Sequence, residues 1–167
     1  NIDDDLKIKK LIAETDICLN LIGILFEKGK KNNFKKIHET FPEKLSKICK
    51  RENKKLIHVS ALALSNAKDS KYAMSKISGE KKVIENCPDA TIIKPSVVYS
   101  VDDNFTTRFM SIMGLIPFFP LYYNGNTKFS PVHVSDLAEL ICHVISNEIY
   151  SKHIEVIGPE VLTFKQI

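Results

Sequence analysis

Apolar residues recur along this chain in two rhythms, short unbroken runs and longer stretches with a helical period. Asp16 to Leu25 is nearly all apolar and ends around Gly23, the pattern of a strand buried on both faces of a parallel sheet. Leu56 to Ser60 repeats that pattern, and so does Thr91 to Lys94, extended past Pro95 to Tyr99. Between these runs, Phe34 to Asn53 sets Phe34, Ile37, Phe41, Leu45 and Ile48 on one side of a helix. Pro42 should start a new helical segment there or kink the existing one. Lys71 to Asn86 predicts another helix, closed by a turn at Pro88-Asp89. Asp3, Asp4 and Asp5 offer capping carboxylates to a short helix over Leu6 to Glu14. Glu27 to Asn33 and Ala61 to Ser70 are polar loops.

The second half is less regular. Asn104 to Met113 has a helical pattern, whereas Gly114 to Asn126 is irregular, with Pro117 and Pro120 among large apolar residues. Lys128 to His133 predicts a short strand, Ser135-Asp136 the cap of a helix reaching about Asn147, and Ile154 to Ile157 a further strand. Thr163 should cap a last helix that the chain's end cuts short. Strand-helix alternation of this kind implies right-handed crossovers and a doubly wound parallel α/β sheet. The interruption from Val101 to Pro131 follows a strand's carboxyl end, where substrate lids sit in such sheets. Residues 1–100 then form one domain portion and residues 101–167 a smaller region that returns elements to the sheet.

Composition narrows the function classes. The chain has 167 residues, 44% hydrophobic and 26% charged, enough for a core of ordinary density. Its net charge is +4, but Arg51 and Arg108 are the only arginines among 24 basic residues. A phosphate-reading surface favours the arginine fork, and no nucleic-acid motif is present. The basic runs Lys28–Lys36 and Lys50–Lys55 read as solvated helix faces, with an acidic partner or lipid as the alternative. Cys18, Cys49, Cys87 and Cys142 are far apart in sequence and lie in apolar contexts. They suggest core packing and a reducing compartment rather than zinc or a disulfide framework. His143 and His153 show no ligand spacing, so no metal site is expected. No run of eighteen apolar residues and no signal peptide is visible, so no membrane span is expected and a cytoplasmic setting fits.

The chemistry concentrates in Tyr72-Ala-Met-Ser-Lys76. Residues four apart share a helix face, and a lysine beside a phenol favours the phenolate. Tyr72 is therefore a candidate proton donor or acceptor for a carbonyl/alcohol pair. Ser60 ends the preceding strand, but no base follows it at a hydrolase spacing. His133 and Asp136 read as helix-start residues and His58 as a satisfied strand histidine. Arg108 is either a phosphate or acid contact or a surface ion pair. The aromatic loop Phe118, Phe119, Tyr122 and Tyr123 could line a pocket for a greasy quinone-like substrate, dock on a membrane or partner, or simply pack locally.

Five motifs occur in order: Asn20-Leu-Ile-Gly23, His58-Val-Ser-Ala61, Tyr72-Ala-Met-Ser-Lys76, Lys94-Pro-Ser-Val-Val-Tyr99 and Val132-His-Val-Ser-Asp-Leu-Ala138. Together they resemble the extended and atypical short-chain dehydrogenase/reductases of the NAD-dependent epimerase/dehydratase superfamily. With the tail Glu155 to Phe164, they resemble the group of the nucleotide-binding accessory subunit of respiratory complex I, the ninth of its alpha subcomplex. The resemblance implies an NAD(P)-binding Rossmann-like sheet that here lacks the first βαβ unit with its glycine-rich loop, and lacks the extreme C-terminal part. It implies NADP(H) or NAD(H) as cofactor and, as partners, complex I subunits or a quinone-like substrate, in a setting that is cytoplasmic or peripheral at the inner membrane. By the same resemblance, Leu21, Ile22 and Gly23 pass beneath the adenine-side ribose, and Val59 and Ser60 lie beside the nicotinamide ribose. Ile93, Pro95 and Ser96 cover the carboxamide. Tyr72 matches the catalytic acid/base, and Lys76 matches the lysine that binds ribose hydroxyls and lowers the tyrosine's pKa. His38 falls near a helix position often held by Asn.

Two positions depart from the family pattern. Ala61 stands where active members place the Ser or Thr that polarises the substrate carbonyl, and alanine cannot hydrogen-bond an oxyanion. Ser100 stands where Gly is usual. A nucleotide-binding protein with a structural or regulatory nucleotide is the reading that follows. The alternative is an active oxidoreductase or epimerase/dehydratase using Tyr72 and Lys76.

Overall fold

The computed structural model describes residues 2–29, 32–67, 69–100, 126–163 and 165–166. The helix expected over 104–113, Arg108 and the aromatic loop fall outside the described residues. The chain divides into two compact units, residues 1–94 with 148–154, and residues 95–147 with 155–167.

In the first unit, α1 (Asp5–Ala13) starts one residue earlier than expected, because Asp4 accepts from Lys7 N at 3.0 Å. Strands β1 (Ile17–Asn20), β2 (Lys55–Val59) and β3 (Thr91–Pro95) pair in parallel, with Asn20 beside His58 and Val59 beside Ile93. They continue a sheet of order β1-β2-β3-β7, where β7 is His153–Val156 and the unit boundary falls within β3 and β7. Leu56, Ile57, Ile92 and Ile93 are fully buried, each contributing about 1.5–3 kcal/mol of burial.

The first strand is shorter than its apolar run. Beyond Asn20, side chains capture the backbone instead of the neighbouring strand: Ile22 N donates to Asn20 Oδ1 and Ile24 N to His38 Nε2. Residues 21–24 thus form a loop at the strand's carboxyl end. The strand expected to reach Tyr99 also breaks, into β3 and β4 (Val98–Tyr99). Pro95 has no N–H to donate.

The long helical pattern splits at Pro42. Residues Lys35–Thr40 form a π-helix that flows into α2 (Phe41–Arg51). The proline cannot donate to the carbonyl of His38 four residues back, and just before it Phe41 N reaches Lys36 O, five residues back. Single-turn π segments of this kind are frequent at functional sites. The bulged backbone meets α3 (Lys71–Asn86), where Gly79 allows the approach: a Cβ there would lie 1.8 Å from His38 O. Ser70 caps α3 by accepting from Ala73 N at 3.3 Å. Ser70→Ala should lower the urea midpoint of unfolding by the equivalent of about 1 kcal/mol, with an unchanged slope; an unmoved midpoint would remove the cap.

In the second unit, β4 pairs in parallel with β6 (Val132–His133), and β5 (Lys128–Phe129) pairs antiparallel with β8 (Leu162–Thr163). The single strand expected over 128–133 is therefore two, divided at Ser130-Pro131. Helix α4 (Val134–Ser146) buries Leu137, Ile141 and Val144. Its cap is His133, whose Nδ1 accepts from Ser135 N, rather than Ser135 or Asp136; Asp136 lies inside the first turn. Thr163 belongs to β8 instead of capping a helix, and its N–H and hydroxyl both donate to Gln166 Oε1. Cys142 lies exposed on α4, not in a core.

Candidate functional site

The carboxyl ends of β1 and β2 and the first two turns of α3 converge on a buried polar cluster in the first unit. Lys76, 6% exposed, donates to Val59 O at 3.2 Å. Burial draws its pKa down to about 8, against the opposing pull of Glu80, so it stays mostly cationic at neutral pH. Gly23 is exposed in the loop after β1, and a Cβ there would meet only His38 Nε2 at 3.7 Å and Lys76 Nζ at 3.8 Å. The loop backbone therefore forms an open shelf edged by an ammonium group.

Two histidines organise the shelf. His38 Nε2 accepts from Ile24 N, so its proton lies on Nδ1 and is donated to Ser75 Oγ at 2.9 Å; Ser75 Oγ donates to Tyr72 O. One imidazole thus ties the β1 loop, the π-helix and α3 together. Its ring stacks on Phe34, and Tyr72 packs edge-on against both rings. His58 lies deeper. Asn20 Oδ1 is committed to Ile22 N, so Asn20 Nδ2 donates to His58 Nδ1 at 2.9 Å and the proton sits on Nε2. That buried Nε2 has no hydrogen-bond partner, so His58 is only half satisfied. Burial first, then the Lys76 charge, holds His38 at about 4 and His58 at about 3.

Burial also pushes the Tyr72 phenol above its usual range. The lowering expected from Lys76 is not what the geometry gives: desolvation governs the phenol, and the lysine amine is engaged with Val59 O. Ser60 faces α3, where its hydroxyl donates to Glu80 Oε1 at 2.5 Å, and Lys94 pairs with the other oxygen at 2.7 Å. Strand alternation explains the direction: Ser60, one residue past β2, continues the face of Leu56 and His58.

Of the predicted site residues, Gly23, Val59, Tyr72 and Lys76 meet at this cluster. Leu21 and Ile22 are exposed in the same loop. Ile93 is fully buried and contributes its carbonyl to Ser60 N. Pro95 and Ser96 belong to the second unit, where Ser96 N donates to Val156 O. Asn20, Ser75 and Glu80 join the cluster although the sequence does not single them out as site residues, and His58 is not satisfied as expected; the lone Asn20 inside an apolar run was the available signal.

A parallel sheet whose crossover helix brings a Tyr-x-x-x-Lys pair to the strand ends is a Rossmann-like α/β arrangement. The chain belongs to the RmlD substrate binding domain family, which matches residues 27–158. It is 29% identical to NADH dehydrogenase [ubiquinone] 1 alpha subcomplex subunit 9, mitochondrial, of Arabidopsis thaliana, over 98% of this chain and 42% of that protein. The protein of the same name in Dictyostelium discoideum is also 29% identical, over 99% of this chain and 46% of that protein. The chain thus spans less than half the length of these relatives. Among solved structures, a UDP-glucuronic acid 4-epimerase from Bacillus cereus in complex with NAD superposes with a TM-score of 0.77 at 18% identity, covering 98% of this chain and 61% of the other. A dTDP-4-dehydrorhamnose reductase from Bacillus anthracis in complex with NADP gives 0.74 at 16%, covering 98% and 64%. At these identities the likeness establishes the fold.

Proposed function

We propose that this chain is part of an NAD(P)(H)-binding protein that holds its nucleotide as a structural or regulatory group, in the setting of respiratory complex I or quinone metabolism. The observation that carries the reading is the pairing of a prepared ribose shelf with a missing oxyanion donor. Gly23 leaves backbone open beside the Lys76 ammonium, which suits the vicinal hydroxyls of a ribose. Ala61 has no hydroxyl, and Ser60, the nearest substitute, is committed to Glu80. The nucleotide, when bound, supplies a hydride donor or acceptor; this chain supplies the residues that bind and orient it. Similarity to the alpha subcomplex subunit 9 proteins supports complex I subunits as partners and a mitochondrial-type inner-membrane periphery as the location. Among the described residues no helix is long and apolar enough to cross a membrane.

The complete protein titrated with NADPH and NADH, followed by dihydronicotinamide fluorescence for hours, should bind one of them tightly without oxidising it. Lys76→Met should weaken that binding roughly 10- to 100-fold, the cost of losing a charged donor to the ribose. Sustained oxidation coupled to a carbonyl substrate would overturn the structural-nucleotide reading. It would favour the alternative, a reductase or epimerase/dehydratase, for which Tyr72 beside the buried Lys76 is the supporting observation. Tyr72→Phe should then abolish turnover and spare binding.

A further inference from the structure

Two consecutive residues at the end of β2 are gripped by two side chains one turn apart on α3. Val59 O accepts from Lys76 Nζ at 3.2 Å, and Ser60 Oγ donates to Glu80 Oε1 at 2.5 Å. Lys76 and Glu80 stand four positions apart on one helix and so share a face. The grip extends to β3: Ser60 N donates to Ile93 O at 2.8 Å, and Lys94, the next residue, pairs with Glu80 Oε2 at 2.7 Å. Both carboxylate oxygens are thus engaged, and the Glu80 side chain is only 13% exposed. Charge-assisted bonds on both oxygens hold this carboxylate in one geometry, as a solvent-exposed ion pair would not.

We propose that Glu80 is the positioning residue for Lys76, gripping the strand end on which the amine rests and standing one helical turn away as its counter-charge. The inference rests on the nucleotide reading above and adds to it the group that keeps the ribose shelf cationic. A buried ammonium without an opposite charge nearby gives up its proton, and a neutral amine is the weaker donor to a ribose hydroxyl. Burial draws Lys76 down to about 8, and Glu80 opposes that shift. The other groups around the amine do not serve as counter-charge. His38 on the π-helix and His58 on β2 are neutral imidazoles at pH 7, and Tyr72 on α3 is held as the neutral phenol. The β1 loop brings backbone at Gly23. Strand β3 brings a second cation, Lys94, which Glu80 already pairs.

The test uses the complete protein, isotopically labelled at lysine Cε for NMR, with the Lys76 resonance assigned by its loss in Lys76→Met. Glu80→Gln keeps an oxygen for Ser60 but removes the charge, and the Lys76 titration midpoint should move down. Lys94→Met removes the cation that shares Glu80 and should move the midpoint up. Affinity for NADPH or NADH, whichever the parent binds, is read by dihydronicotinamide fluorescence. In Glu80→Gln it should fall roughly 10-fold at pH 8 and stay within about 2-fold of the parent at pH 6.5, where Lys76 is charged in both. Glu85→Gln removes an exposed carboxylate from the same helix and, as the control, should change neither readout. An unmoved midpoint in Glu80→Gln, or an equal loss of affinity at both pH values, would overturn the assignment, the second by marking a merely structural role. If Glu80→Gln does not fold, Lys94→Met decides alone, and an unmoved midpoint there overturns it. If the parent binds neither nucleotide, the nucleotide reading fails, and the opposite midpoint shifts of the two variants still decide the role of Glu80.

Discussion

Gly79→Ala should destabilise the protein by about 3 kcal/mol, at the upper end of overpacking costs, and lower its Tm on the order of 10 °C. The added methyl lands 1.8 Å from His38 O and 3.0 Å from His38 C. Both are backbone atoms of a helical segment and cannot rotate away as a flexible side chain would. The π-helix causes the crowding, because its bulge advances the His38 carbonyl onto α3. Relief would require α3 to move off, and α3 carries Tyr72, Ser75 and Lys76. The same substitution should therefore weaken nucleotide binding as well. Lys81→Ala, two residues on and solvent-exposed, is the control and should stay within about 0.5 kcal/mol of the parent. A calorimetric Tm for Gly79→Ala within about 2 °C of the parent would show that the helices do not approach as described.

Acid should unfold this protein earlier than its carboxylates alone require. His38 and His58 titrate in the folded state at about 4 and about 3, against an ordinary value of 6.5. Both folded values are depressed, so the unfolded chain binds more protons below pH 6.5. Stability is fully present above that pH and is lost progressively as pH falls toward 3. By pH 4 each histidine withdraws up to about 3 kcal/mol. The cause is burial in both cases, reinforced by the Lys76 charge that faces them; Glu80 is the nearby compensating carboxylate and is shared with Ser60 and Lys94. Urea midpoints measured from pH 7 to pH 4 should fall steeply. His58→Gln should lower the value at pH 7 and flatten the slope. An unchanged slope in that variant would show that His58 does not carry the acid sensitivity.

The helices were readable because their signals are local. Ser70 before Lys71 and the turn after Asn86 bound α3 as the sequence predicts, and the Tyr72–Lys76 spacing places both residues on one helix. The strand cores were readable from their apolar runs, but their ends were not. A strand stops where other groups take its backbone bonds, and Asn20, whose side chain takes Ile22 N, closes β1 well short of Leu25. Pro42 announced a break, yet the bulge it accompanies became informative only when Gly79 was found against the His38 carbonyl.

The sequence by itself determined the strand–helix alternation of the first 95 residues, the parallel α/β class and the presence of a Tyr-x-x-x-Lys helix, because propensity, capping and periodicity act over a few residues. Tertiary structure decided what those residues do. Desolvation raises Tyr72 and lowers Lys76, where local charge alone predicts an activated phenol. The course of the chain past β2 turns Ser60 toward Glu80. Burial and long-range contact set these properties, and both depend on segments that only folding brings together.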